Sequence, residues 1–245
     1  MKIIAHRGAN KKAPQNTMPA FFKAYDENAD GFETDVHLTK DGIPVLCHNY
    51  TVDATSNGKG LIAELTLDEI KKLDFGRYFN YDFAETRIPT LDEFLKFVAD
   101  TDVEILNLEL KTPKHGEKCL VEKTLSLVEK YGLTDRLILS SFDTSLLKQA
   151  KNINPKIKTA YLFASFDKIG DQRRIPTLQD IFNAGVDYIH PVNILVTKFM
   201  VSLLHRHNIK VNVWTVNSKR EIKRMKFCGV DGIITDLPKE ARVDA

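Results

Sequence analysis

The residues best suited to chemistry lie in one stretch: His6-Arg7-Gly8, then Phe32-Glu33-Thr34-Asp35-Val36, then His48. Glu33 and Asp35 stand at i and i+2 of a segment that reads as a strand, so both carboxylates point to one face. Oxygen donors paired in this way present ligands to a hard cation such as Mg²⁺ or Ca²⁺. Two imidazoles and an arginine beside a cation suit acid–base chemistry on a phosphate ester. Arg7 can grip phosphate oxygens in a bidentate manner, and Gly8 permits close approach of backbone to a ligand. His37 shares the parity of Glu33 and Asp35 but lies farther along, and reads as a rim residue rather than a ligand.

The elements that must position these groups follow from hydrophobic periodicity. Apolar or alternating runs predict strands over 2–6, 31–38, 43–47, 104–110, 136–141, 157–163, 187–190, 209–215 and 231–235. Helical spacing predicts helices over 17–28, 66–73, 90–99, 117–131, 143–152, 177–184, 197–207 and 218–227. Thr66/Glu69, Thr90/Glu93 and Ser218/Glu221 have the capping-box spacing that marks helix starts. Asn16 or Thr17 is the candidate cap of the first helix, with Pro19 tolerated in its first turn.

Repeated alternation of strand and helix argues for a parallel sheet covered by helices. Polar candidates at the ends of several strands favour a closed barrel, and the lack of a G-x-G-x-x-G turn after the first strand disfavours a dinucleotide fold. The expected architecture is α/β, a single-domain (β/α)8 TIM barrel over residues 1–245. The ninth strand is surplus to eight. Lys40-Asp41-Gly42 is too short a link for a parallel crossover and makes an antiparallel hairpin. Segment 43–47 is therefore the return arm of an extra β-hairpin at the C-terminal mouth, and pairing brings His48 opposite Thr34 or Asp35. The irregular stretch 74–89, with Phe75, Tyr78, Phe79, Tyr81 and Phe83, reads as a loop packed on the barrel in preference to an aromatic flap.

On 104–111, Leu106, Leu108 and Leu110 share one face and Asn107, Glu109 and Lys111 the other. The leucines would meet the helix layer, and the polar set would point into the barrel near its C-terminal end, where active sites of this fold lie. A buried row of that kind needs pairing or an ion. A Glu109–Lys111 ion pair answers that need, but with Glu33 and Asp35 at the same mouth a shared cation site is the better reading. Three carboxylates in one small volume repel without a counter-ion, and an oxygen-only donor set points to Mg²⁺ or Ca²⁺ over Zn²⁺. Trp214, the only tryptophan, walls the pocket or packs in the core; parity alone does not decide. Ser140 and Ser141 lack a nucleophile-elbow pattern and receive no covalent role. His190 lines the mouth or caps the barrel.

Composition narrows the class without naming the chemistry. The chain has 245 residues, 43% hydrophobic and 28% charged, with a net charge of +2, which suits one large soluble domain and gives no sign of nucleic acid as partner. No apolar run is long enough for a membrane span, and the start is too short for a signal peptide. Cys47, Cys119 and Cys228 are odd in number and lack metal-type spacing, so a reduced cytoplasmic chain with buried thiols is expected.

The ordered motifs resemble the glycerophosphodiester phosphodiesterase family, a family of (β/α)8 barrels. They are HRG at 6–8, P-x-N-T at 14–17, FETDV at 32–36, KDGIPVLCH at 40–48, NGKG with LTLDEIKKLD at 57–74, PTLDEFL at 89–95, NLELK at 107–111, SSF at 140–142, HP at 190–191, VWTVN at 213–217 and GIITDLP at 232–238. The resemblance implies metal-dependent hydrolysis of a small glycerophosphodiester to sn-glycerol 3-phosphate and an alcohol. It implies Glu33, Asp35 and Glu109 as ligands of a divalent cation, Mg²⁺ or Ca²⁺. His6 and His48 would be the acid–base pair, Arg7 and Lys111 would hold the phosphate, and Trp214 would contact the glycerol or its substituent. Gln15 stands where the family usually has Glu, and Asn49 where it usually has Asp. Alternatives on the same site are a lysophospholipase D-like or cyclic-phosphate-forming enzyme. A non-catalytic phosphodiester-binding barrel is the alternative from another class.

Overall fold

The computed structural model describes residues 1–112, 119–164, 167–169 and 172–244. The strands are β1 (Lys2–His6), β2 (Gly31–Leu38), β3 (Pro44–Leu46), β4 (Ile105–Leu110), β5 (Leu137–Ser141) and β6 (Lys158–Phe163). They continue with β7 (Asp167–Ile169), β8 (Gln172–Arg174), β9 (Tyr188–Pro191), β10 (Lys210–Val213) and β11 (Gly232–Thr235). The helices are α1 (Met18–Asp26), α2 (Leu67–Lys71), α3 (Leu91–Ala99), α4 (Leu120–Lys130) and α5 (Thr144–Ile153). The rest are α6 (Leu178–Ala184), α7 (Lys198–Arg206), α8 (Lys219–Cys228) and α9 (Pro238–Asp244).

Eight parallel strands close in the order β1-β2-β4-β5-β6-β9-β10-β11, with β11 pairing back onto β1. Helices surround them, giving the (β/α)8 barrel that the alternating pattern predicts. Leu106, Leu108 and Leu110 of β4 leave the barrel outward and join Phe94 and Leu95 of α3 and Val121 of α4 in one buried cluster. Their neighbours in sequence, Asn107 and Glu109, line the cavity inside the mouth. The period-two side-chain alternation thus divides β4 between helix layer and site.

β3 pairs antiparallel with β2 and is the surplus strand. Its register sets Val36 against Leu46, His37 against Val45 and Leu38 against Pro44. The Cys47 amide donates to the Asp35 carbonyl at 3.1 Å, so the same register carries on to set His48 opposite Thr34. The turn closes where Gly42, at φ +74°, donates to the Thr39 carbonyl at 2.8 Å. Beyond β3 a small satellite core of Val45, Cys47, Val52, Ile62, Ile70, Phe75 and Ile88 supports the hairpin. Phe75 of the 74–89 loop is buried there, whereas Tyr81 is 74% exposed. The loop is therefore anchored at both ends, by Phe75 and Ile88, and open along its middle.

All three predicted capping boxes form, at Thr66/Glu69, Thr90/Glu93 and Ser218/Glu221. Thr17 holds the cap position of α1 but makes no side-chain cap; its hydroxyl donates to the Pro14 carbonyl at 2.5 Å. Two parts of the pattern differ from expectation. The β7–β8 ribbon between β6 and α6 has strands of three residues each, too short for an alternation signal. α9 is a seven-residue helix opened by Pro238, whose fixed φ suits a first turn. The expected helix start at 117 lies outside the described residues. Cys47 and Cys228 are buried as expected, but Cys119 is exposed because it stands at the αL cap position before α4. Among the described residues no helix is long and apolar enough to cross a membrane.

Candidate active site

The end of β1 turns sharply because two successive residues take left-handed backbone. Arg7 lies at φ +56° and Gly8 at φ +79°. A Cβ on Gly8 would stand 2.6 Å from the Ala20 carbonyl carbon, so α1 can pack against this turn only if the residue is glycine. The turn aims the Arg7 amide at Glu33, donating to its backbone oxygen at 2.9 Å and to its carboxylate at 3.1 Å. The Arg7 guanidinium lies 3.3 Å from Asp35 through Nε and donates through Nη1 to Gln15 Oε1 at 2.6 Å.

Glu33, Asp35 and Glu109 are all buried, with ligand-capable oxygens within 4.8 Å of one another. They form the one such cluster found among the described residues. β2 and β4 bring them together in register, Glu33 beside Asn107 and Asp35 beside Glu109. Lys111 reaches back over the mouth to Asp35 Oδ1 at 2.7 Å and also pairs with Glu109. The ion pair and the acid cluster therefore exist together. Burial raises the Asp35 carboxyl, but Lys111 and Arg7 outweigh it and hold Asp35 well below the usual carboxylate range. Burial, then the Asp35 and Glu109 charges, push Glu33 well above that range. Burial pushes Glu109 to about 7 against the pull of Lys111. Three acids facing two cations leave one negative charge in excess when all are ionised. A hard divalent cation suits a donor set of oxygens alone and would more than offset that excess, leaving a net positive site for an anionic phosphodiester.

His6 and His48 line the same cavity, about 70 Å³, together with Arg7, Glu33, Glu109 and Trp214. His6 Nδ1 is 2.6 Å from Asp236 Oδ1. Asp236 in turn accepts from Asn10 Nδ2 at 2.7 Å and Asn217 Nδ2 at 2.6 Å. Burial would raise Asp236, but its hydrogen bond and charge interaction with His6 keep it below its ordinary range. Burial lowers His6, opposed by the Asp236 bond. His48 Nδ1 faces Asn49 Oδ1 at 2.8 Å. Burial lowers His48 to about 4, opposed by the Asp35 charge. Both rings are held at Nδ1, which leaves Nε2 as the nitrogen available for proton transfer.

Other expectations resolve differently. Trp214 reaches the cavity, donates from Nε1 to the His190 carbonyl at 2.7 Å, and meets Phe142 edge-on at 5.9 Å. His190 neither lines the mouth nor caps the barrel; it is fully buried, with Nε2 3.2 Å from Asn212 Nδ2. His37 is buried against Tyr50 rather than on a rim, and it stands outside the acid cluster. The Ser140 and Ser141 hydroxyls are tied to backbone carbonyls of β4. Asp236 and the true role of Asn16 escaped the sequence reading, whereas Asn107 faces the barrel interior as its parity predicts. Asp236 orients His6, and the GIITDLP motif shows the acid but not its partner. Asn16, at φ +54°, is not a helix cap but donates to Asp35 at 2.8 Å while accepting from Thr34 at 2.8 Å. Asn107 lines the cavity with a buried Oδ1 that has no partner among the described residues.

A family model described as the glycerophosphoryl diester phosphodiesterase family matches residues 6–240. The chain is 37% identical over 237 residues to a glycerophosphodiester phosphodiesterase of Caldanaerobacter subterraneus, covering 97% of this chain and 94% of that protein. It is 36% identical over 245 residues to one from Bacillus altitudinis, covering 98% and 96%. Its fold is similar to that of an Oleispira antarctica phosphodiesterase solved with the product sn-glycerol-3-phosphate. The TM-score there is 0.90 at 27% identity, over 100% of this chain and 96% of that one.

Proposed function

Because the chain belongs to the glycerophosphoryl diester phosphodiesterase family and is a phosphodiesterase, we infer that it hydrolyses glycerophosphodiesters to sn-glycerol 3-phosphate and an alcohol. The carrying observation is that two histidines, an arginine and two of three clustered acids face one narrow cavity at the barrel mouth. The product bound to the Oleispira antarctica phosphodiesterase supports the same substrate class.

Glu33, Asp35 and Glu109 would hold a divalent cation, which when bound supplies Lewis-acid polarisation of the phosphoryl oxygens. Arg7 and Lys111 would pair with the non-bridging oxygens and offset charge that grows toward the transition state. One histidine takes the proton from the attacking oxygen, either the glycerol 2-hydroxyl or water. The other gives a proton to the departing alcohol oxygen as its bond to phosphorus breaks. Attack by the glycerol hydroxyl gives a cyclic phosphate, which water opens with the two roles exchanged. Trp214 would wall the glycerol carbons.

A glycerol 3-phosphate release assay over a panel of glycerophosphodiesters, with and without EDTA, tests this reading. His6→Ala and His48→Ala should each lower turnover by about 100-fold or more while circular dichroism stays unchanged. Full activity in either variant overturns the acid–base scheme. Activity that resists chelation removes the cation from it.

A further inference from the structure

The segment before α1 comes back to the turn at the end of β1 and holds Arg7 at two places. The Asn16 amide donates to the Arg7 carbonyl at 3.0 Å, and Gln15 Oε1 accepts from Arg7 Nη1 at 2.6 Å. Asp35 lies 3.3 Å from Nε. Of the guanidinium nitrogens, Nη2 alone has no partner among the described residues. That nitrogen is the one left to meet an anion in the cavity that Arg7 lines with both histidines.

Gln15 is itself fixed from the other side. Its backbone amide donates to the Tyr78 hydroxyl at 3.3 Å. Tyr78 belongs to the 74–89 loop, which one buried carboxylate closes. Asp74 accepts from the amides of Gly76 at 2.8 Å, Arg77 at 3.0 Å and Glu85 at 2.9 Å. The Phe75 amide donates to the Thr86 carbonyl at 2.8 Å, and a Cβ on Gly76 would overlap the Phe83 carbonyl oxygen, so the two arms of the loop touch. The loop thus delivers Tyr78 to a set place, and contacts run from it through Gln15 to Arg7.

Gln15 is also neutral. A carboxylate of the same shape would bond Nη1 equally well, yet it would add a negative charge at a mouth that already holds three acids. That charge would repel a bound anion in proportion to the anion's own charge. A phosphodiester carries one negative charge, and a phosphomonoester carries about two above its second pKa of about 6. We propose that Gln15, locked by Tyr78, is the positioning residue for Arg7. Its neutrality, which spares a dianionic product more repulsion than a monoanionic diester, sets how strongly that product inhibits.

This role of Gln15 rests on the protein being a glycerophosphodiester hydrolase, and a binding measurement keeps the two separable. KM is measured with glycerophosphoethanolamine and Ki with sn-glycerol 3-phosphate at about pH 8, where the product is dianionic. Kd for each is measured by calorimetry, with the same divalent cation throughout. Gln15→Leu removes the acceptor and should raise KM and Ki alike, by about tenfold. Tyr78→Phe, which loses only the hydroxyl, should move both the same way by less. Gln15→Glu keeps the acceptor; it should raise KM about threefold and Ki by the square of that factor, about tenfold, because the product has about twice the charge. In Arg7→Met the guanidinium is gone, and adding Gln15→Leu should change Kd no further. A further loss in that double variant, with circular dichroism unchanged, means that Gln15 acts elsewhere and overturns the positioning role. Equal rises in KM and Ki in Gln15→Glu overturn the charge assignment. Unchanged constants in Tyr78→Phe overturn the lock, and unchanged constants in Gln15→Leu overturn the whole scheme. Wild-type enzyme that binds the product but releases none from any glycerophosphodiester overturns the hydrolase reading alone, and the Kd comparisons still decide Gln15.

Discussion

His6 and His48 face one cavity, yet their Nδ1 partners differ in charge. His6 meets the Asp236 carboxylate at 2.6 Å, and His48 meets the neutral Asn49 carbonyl oxygen at 2.8 Å. A carboxylate favours the imidazolium that forms when a ring accepts a proton; an amide oxygen orients the ring without that charge. Asp236 is itself clamped by Asn10 and Asn217, so it acts as a positioning residue with little freedom to drift. Asp236→Asn keeps the shape and removes the charge. Turnover should fall roughly 10- to 100-fold, the usual range for losing an orienting partner. The pH–rate limb belonging to His6 should move to lower pH, because the upward pull of the carboxylate on His6 is gone. A change confined to KM, or a limb that stays in place, would show that Asp236 only supports the fold.

The β2–β3 hairpin turns a sequence separation into a contact, and its turn chemistry sets where His48 arrives. Gly42 sits at φ +74°, and Thr39 accepts the Gly42 amide on its carbonyl and the Ile43 amide on its hydroxyl. An added Cβ at 42 would meet the Lys123 ammonium, the mobile end of a long chain that can step aside. The cost of Gly42→Ala is therefore the left-handed backbone, about 1 kcal/mol. Urea unfolding should register that loss. Activity should fall further than stability predicts, since the turn holds the register that delivers His48. Parity on β2 and β4 is legible in the sequence because side chains alternate without exception along a paired strand, and the hairpin is legible because three residues cannot make a crossover. Asp236 is not legible in the same way. It lies 230 residues from His6, and they meet only because β11 closes onto β1. Asn16 is misread for a related reason: its cap-like position in sequence hides a left-handed turn that sends the amide to Asp35. A second cavity at the mouth, about 450 Å³ and lined by Asn49, Tyr50, Thr51, Thr112 and Phe142, arises from loop ends after β3, β4 and β5, and loops carry no period to read.

Barrel closure also fixes how the whole molecule responds to acid. His190 is fully buried inside the barrel, and burial holds its imidazole near 3. The Asn212 amide donates toward Nε2, which keeps that nitrogen an acceptor and the ring neutral. An unfolded histidine titrates near 6.5, so between about 6.5 and 3 the unfolded chain binds the extra proton. Stability from this residue therefore falls as pH drops through that window. Glu109, raised to about 7 by burial, works in the opposite sense. Between its ordinary carboxyl range and 7 the folded state holds the extra proton, and stability falls as pH rises. The opposed slopes partly hide each other in the wild type, so the His190 contribution must be read as a difference. In His190→Gln, which offers an acceptor to Asn212 without a titrating ring, the wild-type advantage at pH 7 should shrink by a few kcal/mol on going to pH 4. Urea unfolding of both proteins in matched buffers, with the same divalent cation present, measures that gap. A gap that stays constant across the range would mean that the folded barrel lets His190 take up its proton as readily as the unfolded chain does.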